Sequence, residues 1–165
     1  MARKSEDRML DGADWRLMGA LQADGRAPLK ALGRAAGLSI AATAERLRRL
    51  RERGVVRGIG ATVDATLAGY TVKAIVGITV EQPGKRAFLE RLRRAPEVLE
   101  CHHVAGDDSY VMIVIAAGLA ELERFLGAVN VYGETRTSIV FSTPIERRGL
   151  LRPGVPRRDA ERGAA

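Results

Sequence analysis

Cysteine and long apolar runs are scarce in this chain of 165 residues, and each shortage excludes a class of protein. The single cysteine, Cys101, cannot form an intramolecular disulfide, which excludes the disulfide-stabilised secreted domains and is typical of a reducing compartment. No apolar run approaches the roughly 20 residues that span a bilayer, and residues 1–10 lack the apolar stretch of a secretion signal. We therefore expect a soluble, cytoplasmic protein that does not interact with membranes.

Histidine is also rare, and the two that occur, His102 and His103, are adjacent. Neighbours on a strand point to opposite faces, so these two side chains cannot serve one site. Cys101 and His103 would share a face, but two ligands are too few for a tetrahedral zinc site. The sequence also has no Walker loop, Ser-His-Asp set or paired catalytic carboxylates. We expect no catalytic residue, no metal and no cofactor.

Aromatic residues make up only 4% of the chain, so any core must consist mainly of Leu, Val, Ile and Ala. The net charge of +7 is unevenly distributed along the sequence. Residues 1–60 contain 13 Lys and Arg against 7 Asp and Glu, whereas residues 61–145 contain 8 against 10. This asymmetry indicates that the first part of the chain binds a polyanion and that the middle does not.

The stretch 32–56, LGRAAGLSIAATAERLRRLRERGVV, has the pattern of a helix-turn-helix. Gly37 can adopt the left-handed conformation of a tight turn, and Ser39 can cap the arginine-rich helix that follows. Asp11, with Asp14 three residues on, predicts the start of an earlier helix. The pattern thus predicts three helices, over residues 12–23, 28–36 and 39–53.

The third predicted helix has two different faces when its residues are placed about 100° apart. Thr43, Leu47 and Leu50 fall on one side and can pack on the preceding helices. The opposite side consists of Ala41, Glu45, Arg48 and Glu52, with Ala44 and Arg49 flanking it. Such a face is small at its start and cationic further on, which suits a DNA major groove. The alternative is that an arginine-rich helix is simply a solvated surface.

Residues 57–63, RGIGATV, predict a small hairpin, the wing of a winged helix. We therefore expect a winged helix-turn-helix domain over residues 1–62 and a linker over 63–69.

The next part of the chain alternates between strand and helix patterns. The predicted strands cover residues 70–81, 98–105, 110–116 and 135–143, and the predicted helices cover 85–94 and 119–129. The order βαββαβ is that of a ferredoxin-like domain, which we assign to residues 70–146. Residues 147–165 contain two prolines and six arginines, and predict a mobile basic tail whose simplest role is solubility. The predicted fold class is therefore α+β.

Short motifs with a distinctive order and spacing extend over residues 10–148. They are LDGAD (10–14), DGR (24–26), GLS (37–39), RLRRL (46–50), RGVV (53–56), PEV (96–98), GDDSY (106–110) and TRTSIV (135–140). Together with the domain order, they resemble the Lrp/AsnC family of bacterial and archaeal transcription regulators. The resemblance implies a homodimer formed through the sheets of the C-terminal domain, often assembled into an octamer. It also implies an amino acid or similar small metabolite as effector, bound where C-terminal domains of different dimers meet.

By this resemblance, the effector-binding residues are Gly106, Asp107, Asp108, Ser109 and Tyr110 of one turn and Thr135 and Thr137 of the last strand. Backbone N–H groups of the turn can bind a carboxylate, and the two aspartates can bind an ammonium group. The alternative is a plain Asp/Gly turn between two strands. Ser109 stands where many members of the family have a second aspartate, which disfavours a strongly basic effector.

For the partner, double-stranded DNA, we expect Ala41, Ala44, Glu45, Arg48 and Arg49 to face base edges or the groove wall. Arginine suits guanine and glutamate suits the cytosine amino group. Phosphate contacts are expected from Arg26, Arg46 and Arg57, and Ser39 belongs to the same surface. Arg46 has an equally favoured structural role beside the core. Glu45 replaces the basic or small residue common in the family, so we expect the operator sequence to differ from those of relatives.

Two other functions remain open from the sequence. Siroheme decarboxylases share this two-domain architecture, but use histidine and basic residues around a tetrapyrrole, and the histidines here cannot act together. An architectural protein that coats DNA is the second, and the mixed charge of the third helix, with Glu45, argues mildly against it.

Overall fold

A computed structural model describes residues 9–154 of the chain. Within them, residues 9–61 and 145–154 form one compact unit and residues 62–144 form another. The first unit contains three helices, α1 (Gly12–Ala23), α2 (Leu29–Ala36) and α3 (Ile40–Glu52). In the part of the chain that the structure describes, no helix is long and apolar enough to cross a membrane.

Helix α1 begins at the capping box that the sequence predicts. The Asp11 carboxylate accepts a hydrogen bond from the backbone N–H of Asp14, 2.8 Å away, and the Asp14 carboxylate accepts one from the N–H of Asp11 at 3.1 Å. Two backbone donors that the helix itself cannot satisfy are thereby paired. The core of the unit is aliphatic, as expected, and consists of Leu17, Met18, Leu21, Leu32, Ala36 and Leu50.

Helices α2 and α3 are joined by the predicted glycine turn. Gly37 lies in the left-handed region at φ 72°, where a side chain would be strained. Ser39 caps α3, because its hydroxyl accepts a hydrogen bond from the N–H of Ala42 at 3.2 Å. The predicted helix-turn-helix is therefore present, with α2 starting one residue later than predicted because Pro28 is its N-cap.

The predicted hairpin over residues 57–63 does not form: the structure assigns no strand to these described residues. Two adjacent glycine-interrupted segments offer few side chains for packing, and an isolated two-stranded hairpin is marginal in water. Ile59 instead packs against Gly25 in the turn after α1, so closely that a Cβ on Gly25 would lie 2.8 Å from the Ile59 side chain.

The second unit has the predicted βαββαβ order. Its elements are β1 (Val72–Ile78), α4 (Lys85–Arg93), β2 (Val98–His103), β3 (Tyr110–Ala116), α5 (Leu119–Val129) and β4 (Thr135–Ile139), with a short 3-10 helix over Asn130–Tyr132. The strands form one sheet in the order β2-β3-β1-β4, and every neighbouring pair is antiparallel. This is the ferredoxin-like arrangement that the sequence predicts.

Strands β1, β2 and β4 are shorter than predicted, because pairing ends before the apolar pattern does. Strand β4 pairs with β1 from Thr135, opposite Ile78, to Ile139, opposite Ala74. Beyond Ile139 only the N–H of Val140 still donates to β1, at Lys73. A sequence pattern cannot indicate where the partner strand runs out.

The two faces of this sheet differ in burial. One face packs against the helices: Ala74, Val76 and Ile78 of β1 and Met112 and Val114 of β3 are fully buried there with Phe88, Leu122 and Phe125. The alternate residues point to the other face, on which Ile75 of β1 lies opposite Ile113 of β3. In the single chain Ile75 is 44% exposed and Ile113 is half-buried. We call this second side of the sheet the open face.

Residues 145–154, which follow the sheet, belong to the first unit. They contain no helix or strand, but the backbone of Leu150 is hydrogen-bonded to the side chain of Gln22 on α1. This part of the predicted mobile tail therefore has a defined contact. Residues 155–165 of the predicted tail lie outside the described residues.

Candidate functional site

Helix α3 has the two faces that the helical wheel predicts. Thr43 and Leu50 are fully buried, and the Thr43 hydroxyl donates to the carbonyl of Ser39 at 2.8 Å. The five residues predicted to face DNA bases are all exposed: Ala41, Ala44, Glu45, Arg48 and Arg49. The structure thus brings these five residues together on one accessible helical surface.

Two of these five residues, Glu45 and Arg48, are hydrogen-bonded to each other. Glu45 accepts two hydrogen bonds from Arg48, at 2.9 Å from Nε and 2.7 Å from a terminal nitrogen. The remaining terminal nitrogen of Arg48 donates to Glu52, one helical turn further on. Because two carboxylates surround it, above all Glu45, the pKa of the Arg48 guanidinium is raised, and the pKa of Glu45 is lowered. The charge of Arg48 on the predicted cationic face is therefore compensated within the helix, by two carboxylates.

Arg46 points away from this surface and contacts the start of α1. One of its terminal nitrogens lies 2.7 Å from the Asp11 carboxylate and 2.9 Å from that of Asp14, which is only 7% exposed. The hydrogen bonds that Arg46 donates to the two carboxylates, above all to that of Asp11, raise the pKa of Arg46. Of the two roles that the sequence left open, phosphate contact and structure, this geometry favours the structural one.

Arg26 and Arg57, the other predicted phosphate-binding residues, are both exposed. The N–H of Arg26 donates to the Asp24 carboxylate at 2.8 Å, which fixes the turn after α1. Arg57 is in the segment whose Ile59 packs on this same turn at Gly25. Both arginines are therefore on segments that meet near the end of α1.

In the second unit, the turn 106–110 is held against the end of β1. The N–H of Ser109 donates to the carbonyl of Ile78 at 3.0 Å, and its hydroxyl accepts from the N–H of Val80 at 3.3 Å. The Thr79 hydroxyl donates to the carbonyl of Asp107 at 2.8 Å. Gly106 and Asp107 remain exposed, whereas Tyr110 is buried and its ring packs against that of Phe88 at a tilt of 46°. Ser109 is thus engaged in holding the turn.

The Asp108 side chain contacts two residues of its own chain, Gly77 and Arg136, which the sequence prediction did not include. Its carboxylate lies directly over Gly77 on the open face, in space that a Cβ on Gly77 would occupy. Arg136 of β4, opposite Gly77 in the sheet, donates to Asp108 at 2.9 Å, and this contact raises the pKa of Arg136. A glycine inside a run of β-branched residues was the available signal, because it often marks a close approach.

Thr135 and Thr137 lie on the other side of the sheet. They are opposite Ile78 and Val76, whose side chains point towards the helices, whereas Asp108 lies on the open face. The Thr135 hydroxyl donates to the side chain of Asn130 at 2.7 Å. Within one chain, the structure therefore does not bring these threonines and the Asp108 carboxylate to a common face.

The two histidines also lie on opposite faces, as predicted. His102 is opposite Val111 and its ring nitrogen is 3.2 Å from Glu100, whereas His103 is opposite Tyr110 and contacts that ring. Cys101, on the helix side of the edge strand β2, has a raised thiol pKa because of partial burial. Among the described residues, no group of three His, Cys, Asp or Glu side chains could hold a metal ion.

Comparison with known proteins gives two family matches and several similar sequences. The AsnC-type helix-turn-helix domain matches residues 10–51, and the Lrp/AsnC ligand binding domain matches residues 73–150. The HTH-type transcriptional regulator LrpA of Mycobacterium tuberculosis is 39% identical over 137 residues, which cover 81% of this chain and 91% of that protein. The regulator LrpC of Bacillus subtilis is 29% identical over 133 residues, covering 81% and 92%.

Solved structures agree with this assignment. A feast or famine regulatory protein from M. tuberculosis, complexed with L-methionine, is similar with a TM-score of 0.81 and 37% identity, over 87% of this chain and all of that one. The structure of B. subtilis LrpC is similar with a TM-score of 0.80 and 28% identity, over 84% and 99%. The helix-turn-helix, the ferredoxin-like sheet and the similarity along most of the sequence thus agree, and the chain belongs to the Lrp/AsnC family of transcriptional regulators.

Proposed function

We propose that this protein binds specific DNA sequences through α3 and that an amino acid or similar small metabolite, bound by its second unit, modulates that binding. The exposed surface of α3 is the observation on which the proposal depends. Its helix starts at a fixed cap, Ser39, and is anchored to the core by Thr43 and Leu50. A capped and anchored helix whose N-terminal residues are small and exposed suits entry into a major groove, where those residues meet the base edges.

For base recognition, the proposal assigns Glu45, Arg48 and Arg49, with Ala41 and Ala44 allowing close approach. Arginine can donate two hydrogen bonds to guanine, and glutamate can accept one from cytosine. Since Arg48 is paired with Glu45 and Glu52 in the free protein, binding requires these contacts to be exchanged for contacts with bases. Arg26 and Arg57 are assigned to phosphates, which fix the register of the helix in the groove.

For the effector, the proposal assigns an amino acid to the turn 106–110 together with Thr135 and Thr137. It is supported by the relative that was solved with L-methionine. The exposed groups at the turn are Gly106 and Asp107, because Asp108 is paired with Arg136 and Ser109 is bonded to β1. Since the threonines and Asp108 lie on opposite faces of one sheet, a complete site requires a second chain or a rearrangement of Asp108.

A homodimer formed through the open face completes the proposal, with assembly of dimers into an octamer. It is supported by the apolar pair Ile75 and Ile113, which is left uncovered in the single chain. An effector bound where dimers meet would change assembly or the spacing of the α3 helices, and so change the affinity for the operator.

We assign residues 1–62 to DNA binding, 63–69 to the linker, 70–146 to effector binding and oligomerisation, and 147–165 to a tail. The boundary between the two compact units at residue 61 supports the first part of this division, whereas the described residues 145–154 belong to the first unit. We assign no enzymatic activity, and we place the protein in the cytoplasm, where its DNA would be.

The test is fluorescence anisotropy with two labelled duplexes, one from the region upstream of the protein's own gene and one of equal length and scrambled sequence. We expect tighter binding to the upstream duplex, and loss of that preference in Arg48→Ala plus Arg49→Ala. Individual amino acids, beginning with L-methionine, are then added, and at least one is expected to change the affinity or the stoichiometry.

The matched control is Arg93→Ala plus Arg94→Ala, which removes two exposed arginines from the second unit. It should bind both duplexes as the unmodified protein does. Equal binding of both duplexes by the unmodified protein, with no effect of either double variant, would contradict sequence-specific recognition by α3.

A further inference from the structure

The C-terminal segment, residues 145–154, is attached to helix α1 by a pair of hydrogen bonds. The Gln22 side chain accepts from the N–H of Leu150 at 2.7 Å and donates to the carbonyl of the same residue at 3.1 Å. One amide side chain thus satisfies both backbone groups of one residue, in the way that a neighbouring strand would. Gln22 and Leu150 are separated by 128 residues, so the contact is made by folding and not by local sequence.

The residue before Leu150 also approaches α1, because a Cβ on Gly149 would lie 3.3 Å from the Gln22 side chain. Leu150 itself is 75% exposed, whereas Leu151 is partly buried. The segment therefore lies along the surface of the unit, with most of its side chains exposed to solvent.

The contact places several arginines on the helix-turn-helix unit. Arg147, Arg148 and Arg152 lie within three residues of Leu150 and are exposed. Within residues 9–154, none of the three forms an ion pair with a carboxylate, in contrast to Arg46 and Arg48. Three cationic side chains are thus held on the surface of this unit with their charge available to an external partner.

The point of attachment lies beside other free cations. Gln22 is in the last turn of α1, and the turn that follows it contains Arg26. Ile59 packs on this turn at Gly25, which brings the segment of Arg57 to the same end of the helix. Three stretches that are distant in sequence therefore meet at the end of α1, and each has at least one exposed arginine.

We propose that residues 145–154 are a functional part of the DNA-binding unit, and that Arg147, Arg148 and Arg152 bind phosphates of the same duplex that α3 reads. The partner is the sugar-phosphate backbone and not the bases, because the segment has no regular structure that would aim a side chain at a base edge. This inference rests on the proposed function and extends its surface beyond the helix-turn-helix. Gln22 is a positioning residue, since it acts by holding the segment and not by touching DNA.

The test compares salt dependence in full-length variants, with the upstream and scrambled duplexes described above. Arg147→Gln plus Arg148→Gln plus Arg152→Gln removes the charges and leaves the Gln22 contact. Because each phosphate contact adds about 0.9 to the slope of log affinity against log salt, we expect the slope to become shallower by up to about 3 per bound chain. Affinity should fall by the same factor for both duplexes, so that the preference for one over the other is kept.

A second variant, Gln22→Leu, keeps all three arginines and removes the contact that holds them. We expect it to change the slope in the same direction by a smaller amount, because the charges remain on the chain but are no longer held. The matched control is Arg86→Gln plus Arg93→Gln plus Arg94→Gln, which removes three exposed arginines from the second unit and should leave the slope unchanged.

The outcomes separate this inference from the proposed function. Suppose that the unmodified protein prefers the upstream duplex and that the triple variant of the segment has the same salt slope as the unmodified protein and the control. The C-terminal segment then does not contact DNA, while recognition by α3 stands. If the triple variant of the segment loses sequence preference, the arginines read bases and phosphate binding is wrong. If the unmodified protein has no preference between duplexes, it is the proposed function that fails. Thermal unfolding curves of all variants verify that each is folded.

Discussion

Arg46 donates a 2.9 Å hydrogen bond to the carboxylate of Asp14, and this ion pair joins helix α3 to the first turn of α1. Asp14 also holds the N–H of Asp11, so that one buried carboxylate both closes the capping box and binds the arginine. A buried carboxylate is tolerated only when it is paired, since its ionised form loses hydration. Arg46 therefore contributes to the orientation of α3 relative to α1 and not to the surface that α3 exposes.

Replacing Arg46 by Gln should destabilise the helix-turn-helix unit by about 1–3 kcal/mol, because Asp14 would remain buried without its partner. Urea denaturation followed by fluorescence measures this change, since Trp15 is the only tryptophan and packs on the core of this unit. Arg51→Gln, on the same helix and exposed, is the control and should change the stability by less than about 0.5 kcal/mol. Equal effects of the two variants would show that the Asp14 pair contributes nothing.

Acid should weaken the same unit through Asp11. The backbone N–H of Asp14 and then the guanidinium of Arg46 hold the pKa of the Asp11 carboxyl below its ordinary value. The stabilisation is therefore complete above about pH 4, the ordinary pKa of an aspartate, and is lost as the pH falls through the lower pKa of the folded state. Asp11 is 53% exposed, so solvent screening keeps the contribution below about 1 kcal/mol.

The measurement is the urea midpoint of Trp15 fluorescence at pH 6 and at pH 3.5, in the unmodified protein and in Asp11→Ser. Serine keeps a hydroxyl that can cap α1 but has no charge to pair with Arg46. Every other acidic group is common to both proteins, so the difference between them isolates Asp11. We expect the variant to lose less stability on acidification, and an identical loss in both proteins would exclude the ion pair as a source of pH dependence.

The elements of the fold were predictable because each has a local signal. Asp11 and Ser39 are good caps, Gly37 permits the turn, and the spacing of Thr43, Leu47 and Leu50 defines the buried side of α3. The predicted hairpin over residues 57–63 was wrong because a strand needs a partner, and glycine punctuation alone does not supply one.

Contacts between distant parts of the chain were not predictable in the same way. Neither the position of Asp108 over Gly77 nor the contact of Gln22 with Leu150 has a periodic signature, since each depends on how separate segments meet. The pairing of Arg48 was not predictable either, for a different reason. Glu45 and Glu52 stand at helical spacing from Arg48 in the sequence, but whether the side chains pair depends on their rotamers. Sequence thus identified most of the exposed surface of α3, but not which of its charges are already neutralised.

Gly133, just before β4, should not tolerate a side chain. A Cβ at this position would overlap the backbone carbonyl of Thr79, and a backbone atom cannot move aside as a flexible side chain can. We expect Gly133→Ala to destabilise the second unit by about 1–3 kcal/mol.

Gly127, in the exposed part of α5 with nothing within 4 Å of its Cβ position, is the control. Because alanine favours helix, Gly127→Ala should stabilise the same unit by up to about 1 kcal/mol. Differential scanning calorimetry compares the two variants, and a common sign would contradict the close approach at Gly133.

Glu45 should limit the affinity of α3 for DNA of any sequence. Its carboxylate binds Arg48 through two hydrogen bonds, and its pKa is lowered, so it is ionised at neutral pH. Glu45→Gln removes this charge and one of the two carboxylates that hold Arg48, with Glu52 as the other, and so makes Arg48 more available to a phosphate. For one additional phosphate contact, we expect the salt slope to become steeper by about 0.9.

The preference for the upstream duplex over the scrambled one should fall at the same time. Glutamate can accept from the cytosine amino group and repels phosphates, whereas glutamine has no net charge and discriminates less between them. Anisotropy titrations with the upstream and scrambled duplexes, over a series of salt concentrations, measure both effects. Glu90→Gln is the matched control, since Glu90 pairs with Arg86 one turn away on an exposed helix of the second unit. Removal of that charge should leave the slope and the preference unchanged. If Glu45→Gln weakened binding to both duplexes equally, Glu45 would act by holding Arg48 in position, and the neutralised surface of α3 would be the form that binds DNA.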